Sequence, residues 1–147
     1  MTAQPQNQVS VRIGANGYTT KIKAGKHDLT ADEPESVGGN DLGPTPYDLL
    51  LSSLGACTAM TIKMYASRKK WDLKEVFVAL SHSKVYAEDC DTCESSTSKI
   101  DRIEREITLS GNLDAKQRER LMDIANKCPV HKTLQSEIDV NTSLVGE

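Results

Sequence analysis

The sequence predicts an α+β fold in which antiparallel strands carry helices grouped on one side. Three observations lead there. Runs of alternating apolar and polar residues are joined by tight-turn dipeptides, which is the signature of hairpins. Two segments have apolar residues at helical spacing behind a capping signal. The order is three strands, helix, two strands, helix, with room for a closing strand, and it needs no parallel crossover.

Residues 1–6 are expected to fray. Val9 to Ile13 alternate as a half-buried strand, and Asn16-Gly17 then marks a hairpin turn. Thr19 to Ala24 is the return strand, Gly25-Lys26 permits a second turn, and His27 to Thr30 forms a third strand. Residues 32–44 are acidic and rich in Gly and Pro, so they read as a long loop. Thr45 is a natural N-cap, Pro46 suits the first helical position, and Asp48 falls three residues after the cap. That helix is expected to run to about Lys70. Asp72 to Ala87 is a long strand with Leu73, Val76, Val78, Leu80 and Val85 among polar neighbours. Residues 88–99 read as a polar loop, and Ile100 to Ser110 as a strand with Ile103, Ile107 and Leu109 as its apolar members. The second helix is expected from Asp114, paired with Gln117 in a capping box, to Cys128. Its stripe is Leu121, Ile124, Ala125 and Cys128, and Pro129 interrupts it. Glu137 to Val145 is the expected closing strand.

A chain of 147 residues suits one domain, read here as spanning 1–147. Hydrophobic content of 37% and charged content of 27% are ordinary for a soluble protein, and a net charge of −3 leaves no footprint for nucleic acid. The longest apolar stretch contains Asp48, Ser52, Ser53 and Lys63, which argues against a membrane span. The polar start MTAQPQNQ lacks a signal-peptide pattern, so a cytoplasmic location is expected.

The first helix, LLLSSLGACTAMTIKMYA, is apolar on nearly every side. Such a helix does not suit a solvent surface, and a second copy of the chain is expected to cover it. Cys57 shares its face with Leu50, Ser53, Leu54, Met60, Thr61 and Met64. A thiol there is either a small core hydrophobe or a reactive group. Gly55 and Ala56 strip bulk from the preceding turn, which suits close approach by a substrate or another chain. Cys128 lies on the core-facing stripe of the other helix, and Pro129 frees its backbone to move. A reactive cysteine beside a mobile partner thiol is the layout of a two-thiol redox site.

GGNDLGPTPYDLLLSSLGACTAMTIKMYA, followed much later by IANKCPVHKTL, resembles the OsmC/Ohr superfamily of osmotically inducible and organic-hydroperoxide-resistance proteins. The resemblance implies antiparallel sheets wrapped around two central helices in an intertwined homodimer. It also implies a thiol peroxidase. Cys57 would attack an organic hydroperoxide, Cys128 would resolve the product as a disulfide, and an external dithiol would restore both. No metal, haem or flavin would be required, and neither nucleic acid nor a membrane would be a partner. Family members also use an arginine from the N-terminal hairpin, held by a glutamate at the start of the central helix. Here Tyr47 stands at the glutamate position, followed by Asp48, which reads as a helix cap. The hairpin tip Gly14-Ala15-Asn16-Gly17 has no arginine, and Arg12 sits in a strand. The helix dipole is too distant to substitute, since Cys57 lies about 18 Å past the cap at ~1.5 Å per residue. The sequence therefore leaves the activating cation unassigned.

Two other readings stand beside this one. A non-catalytic member of the same fold would hold a small apolar ligand in the cleft. Alternatively, Cys90 and Cys93, a lone CxxC, would bind metal with His82 or a dimer mate, form a local disulfide, or relay electrons. His131 is a proton donor or a surface residue near a helix end, and His27 and His82 fall in strands with no evident partner.

Overall fold

The computed structural model describes residues 7–86 and 98–146. The chain divides into two compact units, Met1–Leu50 and Leu51–Glu147.

In the first unit, β1 (Val9–Ile13), β2 (Thr20–Ala24) and β3 (His27–Ala31) form an antiparallel sheet in that order. Val9 pairs with Ala24, and Thr20 with Ala31. Gly25, at φ 61°, makes the tight β2–β3 turn that a side chain would strain. The loop that follows contains a short 3-10 turn, Glu35–Val37, and is organised by Asp32. Only 2% exposed, Asp32 accepts from the Thr19 hydroxyl at 2.8 Å and from the backbone N–H groups of Glu33, Asn40 and Leu42. Burial pushes its carboxyl pKa up, but these four donors outweigh burial and hold it below the usual value.

The first helix, α1 (Pro46–Lys69), starts as its sequence predicts. Asp48 N–H donates to Thr45 Oγ1 at 3.1 Å, and Thr45 N–H donates to Asp48 Oδ2 at 3.0 Å. The helix ends one residue before the expected Lys70, which takes the left-handed conformation at φ 58°. Lys70 N–H then reaches Ser67 O and Trp71 N–H reaches Ala66 O, closing the last turn.

In the second unit, β4 (Asp72–Tyr86) and β5 (Lys99–Asn112) form a long antiparallel ribbon with an irregularity between Leu73 and Glu75. The last residue of the expected strand at 72–87, and most of the polar loop at 88–99, lie outside the described residues. The helix α2 (Ala115–Ala125) carries the predicted Asp114–Gln117 capping box, and its stripe of Leu121, Ile124 and Ala125 is buried. The core joins Leu121 and Ala125 to Ile62 and Ala66 of α1 and to Leu73 and Leu113, with Tyr65, Trp71, Val76, Ile107 and Leu109 packed around them. Burying Ile62 and Leu121 completely stabilises the unit by about 1.5–3 kcal/mol for each side chain.

Two expectations need correction. The second helix stops at Ala125 rather than Cys128, because Pro129 disfavours helical backbone at the preceding residue. Cys128 is extended, at φ −66° and ψ 139°, and is the N-cap of a separate short helix, α3 (Pro129–Leu134). The expected closing strand at 137–145 is also absent. Residues 137–146 have no regular secondary structure, since no sheet edge within the described residues pairs with them.

Candidate functional site

The site is built where one face of α1 meets the β4–β5 ribbon and the α2–α3 junction. Leu54, Gly55, Thr58, Ile62 and Ala66 are the buried residues of α1. Spacing of three or four puts them on one stripe, and that stripe centres on Thr58 rather than Cys57. Cys57 lies about 100° round the helix from Thr58, half-buried. The face predicted for it is mixed: Leu54 is buried, whereas Met60 and Met64 are 64% and 65% exposed.

Gly55 permits a close approach, and within the chain the approaching group is Leu80 of β4. A methyl at 55 would lie 2.8 Å from Leu80 Cδ1. Leu80 is the direct cross-strand partner of Arg105, so both side chains stand on one face of the ribbon. Leu80 presses on Gly55, and Arg105 reaches the next turn of the helix at Thr58.

Arg105 is held by neutral acceptors. Its Nη1 donates to Thr58 Oγ1 at 2.8 Å and to Ala125 O at 3.3 Å, and its Nη2 donates to Asn126 Oδ1 at 2.9 Å. Among the described residues, no carboxylate forms an ion pair with it. Its charge is therefore available to whatever lies next to Thr58, and that neighbour is Cys128.

Cys128 is fully buried. As the cap of α3, its Sγ accepts the backbone N–H of His131 at 3.3 Å. Its Sγ lies 3.7 Å from Thr58 Oγ1, and the Cys57 thiol is a neighbour that helps to lower its pKa. Burial pushes the Cys128 thiol pKa up. The His131 N–H, the Thr58 hydroxyl, the Cys57 thiol and the nearby Arg105 charge together outweigh burial, and the net shift is downward. His131 is also held below its usual value, first by burial and then by Arg105, so its ring is neutral near pH 7.

Thr58 links the groups. Its Oγ1 has one proton to donate and lone pairs to accept with. It accepts from Arg105, and it is within donor reach of both Leu54 O, at 2.7 Å, and the Cys128 sulfur. When Cys128 is a thiol, it donates to Thr58 and the hydroxyl proton stays on Leu54 O. When Cys128 is a thiolate, the hydroxyl proton turns to the sulfur.

The structure places the two predicted site thiols, Cys57 and Cys128, as free cysteines near enough for Cys57 to help lower the Cys128 pKa. Cys90 and Cys93 lie outside the described residues. His82 has a partner that its strand position did not reveal: Nε2 meets Asp101 Oδ1 at 2.8 Å, an oxygen that also takes Lys84 Nζ. Among the described residues, no group of three or more His, Cys, Asp or Glu side chains is placed to hold a metal ion. An open groove of about 440 Å³ runs between α1 and β4, lined by Met60, Lys63, Met64, Leu73 and Val76 among others, and Cys57 is not part of its wall.

Sequence reasoning missed Arg105 and Thr58. A signal for Arg105 was present: it has the same parity as Ile103, Ile107 and Leu109, so it is a charge on the inward face of an amphipathic strand. Thr58 follows Cys57 directly, and in a helix as apolar as α1 a buried hydroxyl has no periodicity to mark it.

Comparisons with known proteins agree with this architecture. A family model described as OsmC-like protein matches residues 38–143. An OsmC-like protein from Mycoplasma pneumoniae superposes with a TM-score of 0.70 at 19% identity, over 98% of this chain and 100% of that one. A Legionella pneumophila protein described as an organic hydroperoxide resistance protein OsmC gives 0.64 at 19% identity, over 94% and 95% of the two chains. The organic hydroperoxide resistance protein OhrB of Bacillus subtilis gives 0.61 at 17% identity, over 93% and 96%. At these identities the likeness is one of fold, and it matches the antiparallel α+β class expected from the sequence. No curated protein matches the chain.

Proposed function

The chain belongs to the OsmC-like protein family, and on that premise we propose that it is a cysteine-based thiol peroxidase that reduces organic hydroperoxides. The observation that carries this reading is the proximity of two free thiols from separate elements, Cys57 of α1 and Cys128 at the start of α3, beside an arginine with no carboxylate partner among the described residues. Hydroperoxide resistance in the names of the Legionella and Bacillus proteins of the same fold supports the substrate class.

In the proposed cycle, the sulfur of Cys57 attacks the terminal oxygen of the hydroperoxide. An S–O bond forms, the O–O bond breaks, and the alcohol leaves. Cys57 is oxidised to a sulfenic acid as the peroxide is reduced by two electrons. The sulfur of Cys128 then attacks that of Cys57, the S–O bond breaks, water is released and a disulfide remains. An external dithiol reduces it through a mixed disulfide and becomes oxidised itself. Partly accessible Cys57 suits the first role and buried Cys128 the second. Buried Leu54, three residues before Cys57 on the helix, favours a substrate with an apolar tail, which gains about 25 cal/mol per Å² buried.

The working form in this reading is a homodimer in the cytoplasm. Met60, Met64 and, on β4, Phe77 are more than half exposed in the single chain, and an apolar surface of this kind is normally covered by a partner. Residues 137–146 likewise want a sheet edge.

Consumption of cumene hydroperoxide with a dithiol present tests the reading. Wild type should turn over, and Cys57→Ser should not. Equal rates in the two, or no turnover by wild type, would overturn it and leave a ligand-binding member of the fold.

A further inference from the structure

The proposed cycle needs a cation, and the sequence offers none at the N-terminal hairpin tip. We infer that Arg105 of β5 is that cation, a positioning residue that holds the negative charge of the resting thiol pair on Cys128 while Cys57 keeps the shared proton. This inference rests on the peroxidase reading for its chemical purpose, although the charge placement can be tested without it.

The hydrogen bonds decide where the charge sits. Three groups can donate to a Cys128 thiolate: the His131 N–H at 3.3 Å, the Thr58 hydroxyl at 3.7 Å once its proton turns from Leu54 O, and the neighbouring Cys57 thiol. The first has no other role, since the N–H groups of a helix's first turn have no partner within the helix. The second is polarised by Arg105, whose Nη1 lies 2.8 Å from the same oxygen. Among the described residues, the titratable or charged groups facing Cys128 are Cys57 from α1, Arg105 from β5 and His131 from α3. His131 is neutral, so Arg105 is the charge that sets the balance.

This arrangement gives Cys128 two tasks. As Cys57 attacks the peroxide, its S–H proton passes to the Cys128 thiolate. The departing alkoxide takes that proton and leaves as alcohol. Cys128 is then a thiolate again, next to the new sulfenic acid, and its attack forms the S–S bond and expels hydroxide, which solvent protonates. The pair carries one negative charge before and after the first step, so the charge beside Arg105 is kept until the disulfide forms and hydroxide carries it to solvent. Cys128 is thus a base first and a nucleophile second.

Thiolate absorbance near 240 nm, followed against pH in the full chain with Cys90→Ser and Cys93→Ser, tests this without requiring peroxide turnover. One thiolate should appear well below the free-thiol range of ~8.5. It should persist in Cys57→Ser, vanish in Cys128→Ser, and move up by about one pH unit or more in Arg105→Gln, a tenfold or greater loss of thiolate at neutral pH. Arg105→Lys, which keeps the charge, should retain most of it. An early thiolate that survives Cys128→Ser would place the charge on Cys57 and overturn the inference. So would a titration unmoved in folded Arg105→Gln. The two cysteine variants decide the point even if Arg105→Gln does not fold. Failure of wild type to consume peroxide would strike the peroxidase reading alone.

Discussion

Arg105 Nη1 and Thr58 Oγ1 lie 2.8 Å apart, joining β5 to α1 across 47 residues of sequence. The bond sits between a solvent-reachable thiol and a buried one. Thr58→Val keeps the shape of the side chain and removes the oxygen. It leaves an Arg105 donor short of a partner, which costs about 1–3 kcal/mol. Urea unfolding should show that loss, and Thr58→Ser should recover most of it. Peroxide reduction should fall in the valine variant and return in the serine one.

Removing Cys128 should do more than remove the resolving thiol. In Cys128→Ser, no intramolecular disulfide can form, so Cys57 should accumulate as sulfenic acid and then as sulfinic acid. Loss of the base should also slow the first oxidation, by about 10²-fold or more, in line with general-base contributions. Stopped-flow oxidation with dimedone trapping and intact-mass spectrometry reads both effects. First oxidation at the wild-type rate would assign Cys128 to resolution only.

Asp32 makes the loop after β3 sensitive to acid. Its folded carboxyl titrates below its unfolded value of ~3.9. The stabilisation it provides is therefore fully present above the unfolded value and is lost as pH falls through the folded one. Asp32→Asn should lower stability at pH 7 and flatten its decline under acid. Thermal unfolding between about pH 6 and pH 2 should show the two curves converging at the acid end.

Lys70 pays for the end of α1 with a left-handed backbone at φ 58°. Glycine is the residue that usually stands there. Lys70→Gly should raise stability by about 1 kcal/mol, since a side chain in that conformation costs ~1–2 kcal/mol. An upward shift of the urea midpoint with an unchanged slope would show it.

The local elements were legible because their signals are local. Val9–Ile13 alternates over its full length and forms the expected strand, although all five residues are exposed rather than half-buried; Thr45 and Asp48 cap each other within one turn, and Asp114 and Gln117 do the same. Cys57 and Cys128 were legible through the motifs that carry the family resemblance. Arg105 was not, because its role depends on the β4–β5 register that sets it opposite Leu80 and beneath Thr58. A strand pattern fixes parity but not the partner across a ribbon. The end of α2 was misjudged because Cys128 continues the apolar stripe while Pro129 forbids the helical backbone. There the side-chain pattern and the backbone rule pointed different ways, and the backbone rule won. The strand expected at 137–145 depends on an edge that the described residues do not offer, which sequence alternation alone cannot reveal.

The central claim is that Cys57 and Cys128 exchange electrons with an organic hydroperoxide as one unit. Peptide mapping under non-reducing conditions, after one equivalent of cumene hydroperoxide, tests it most directly. A single Cys57–Cys128 disulfide that disappears in Cys57→Ser is the predicted result. Both cysteines recovered as free thiols, or oxidation confined to Cys90 and Cys93, would contradict it.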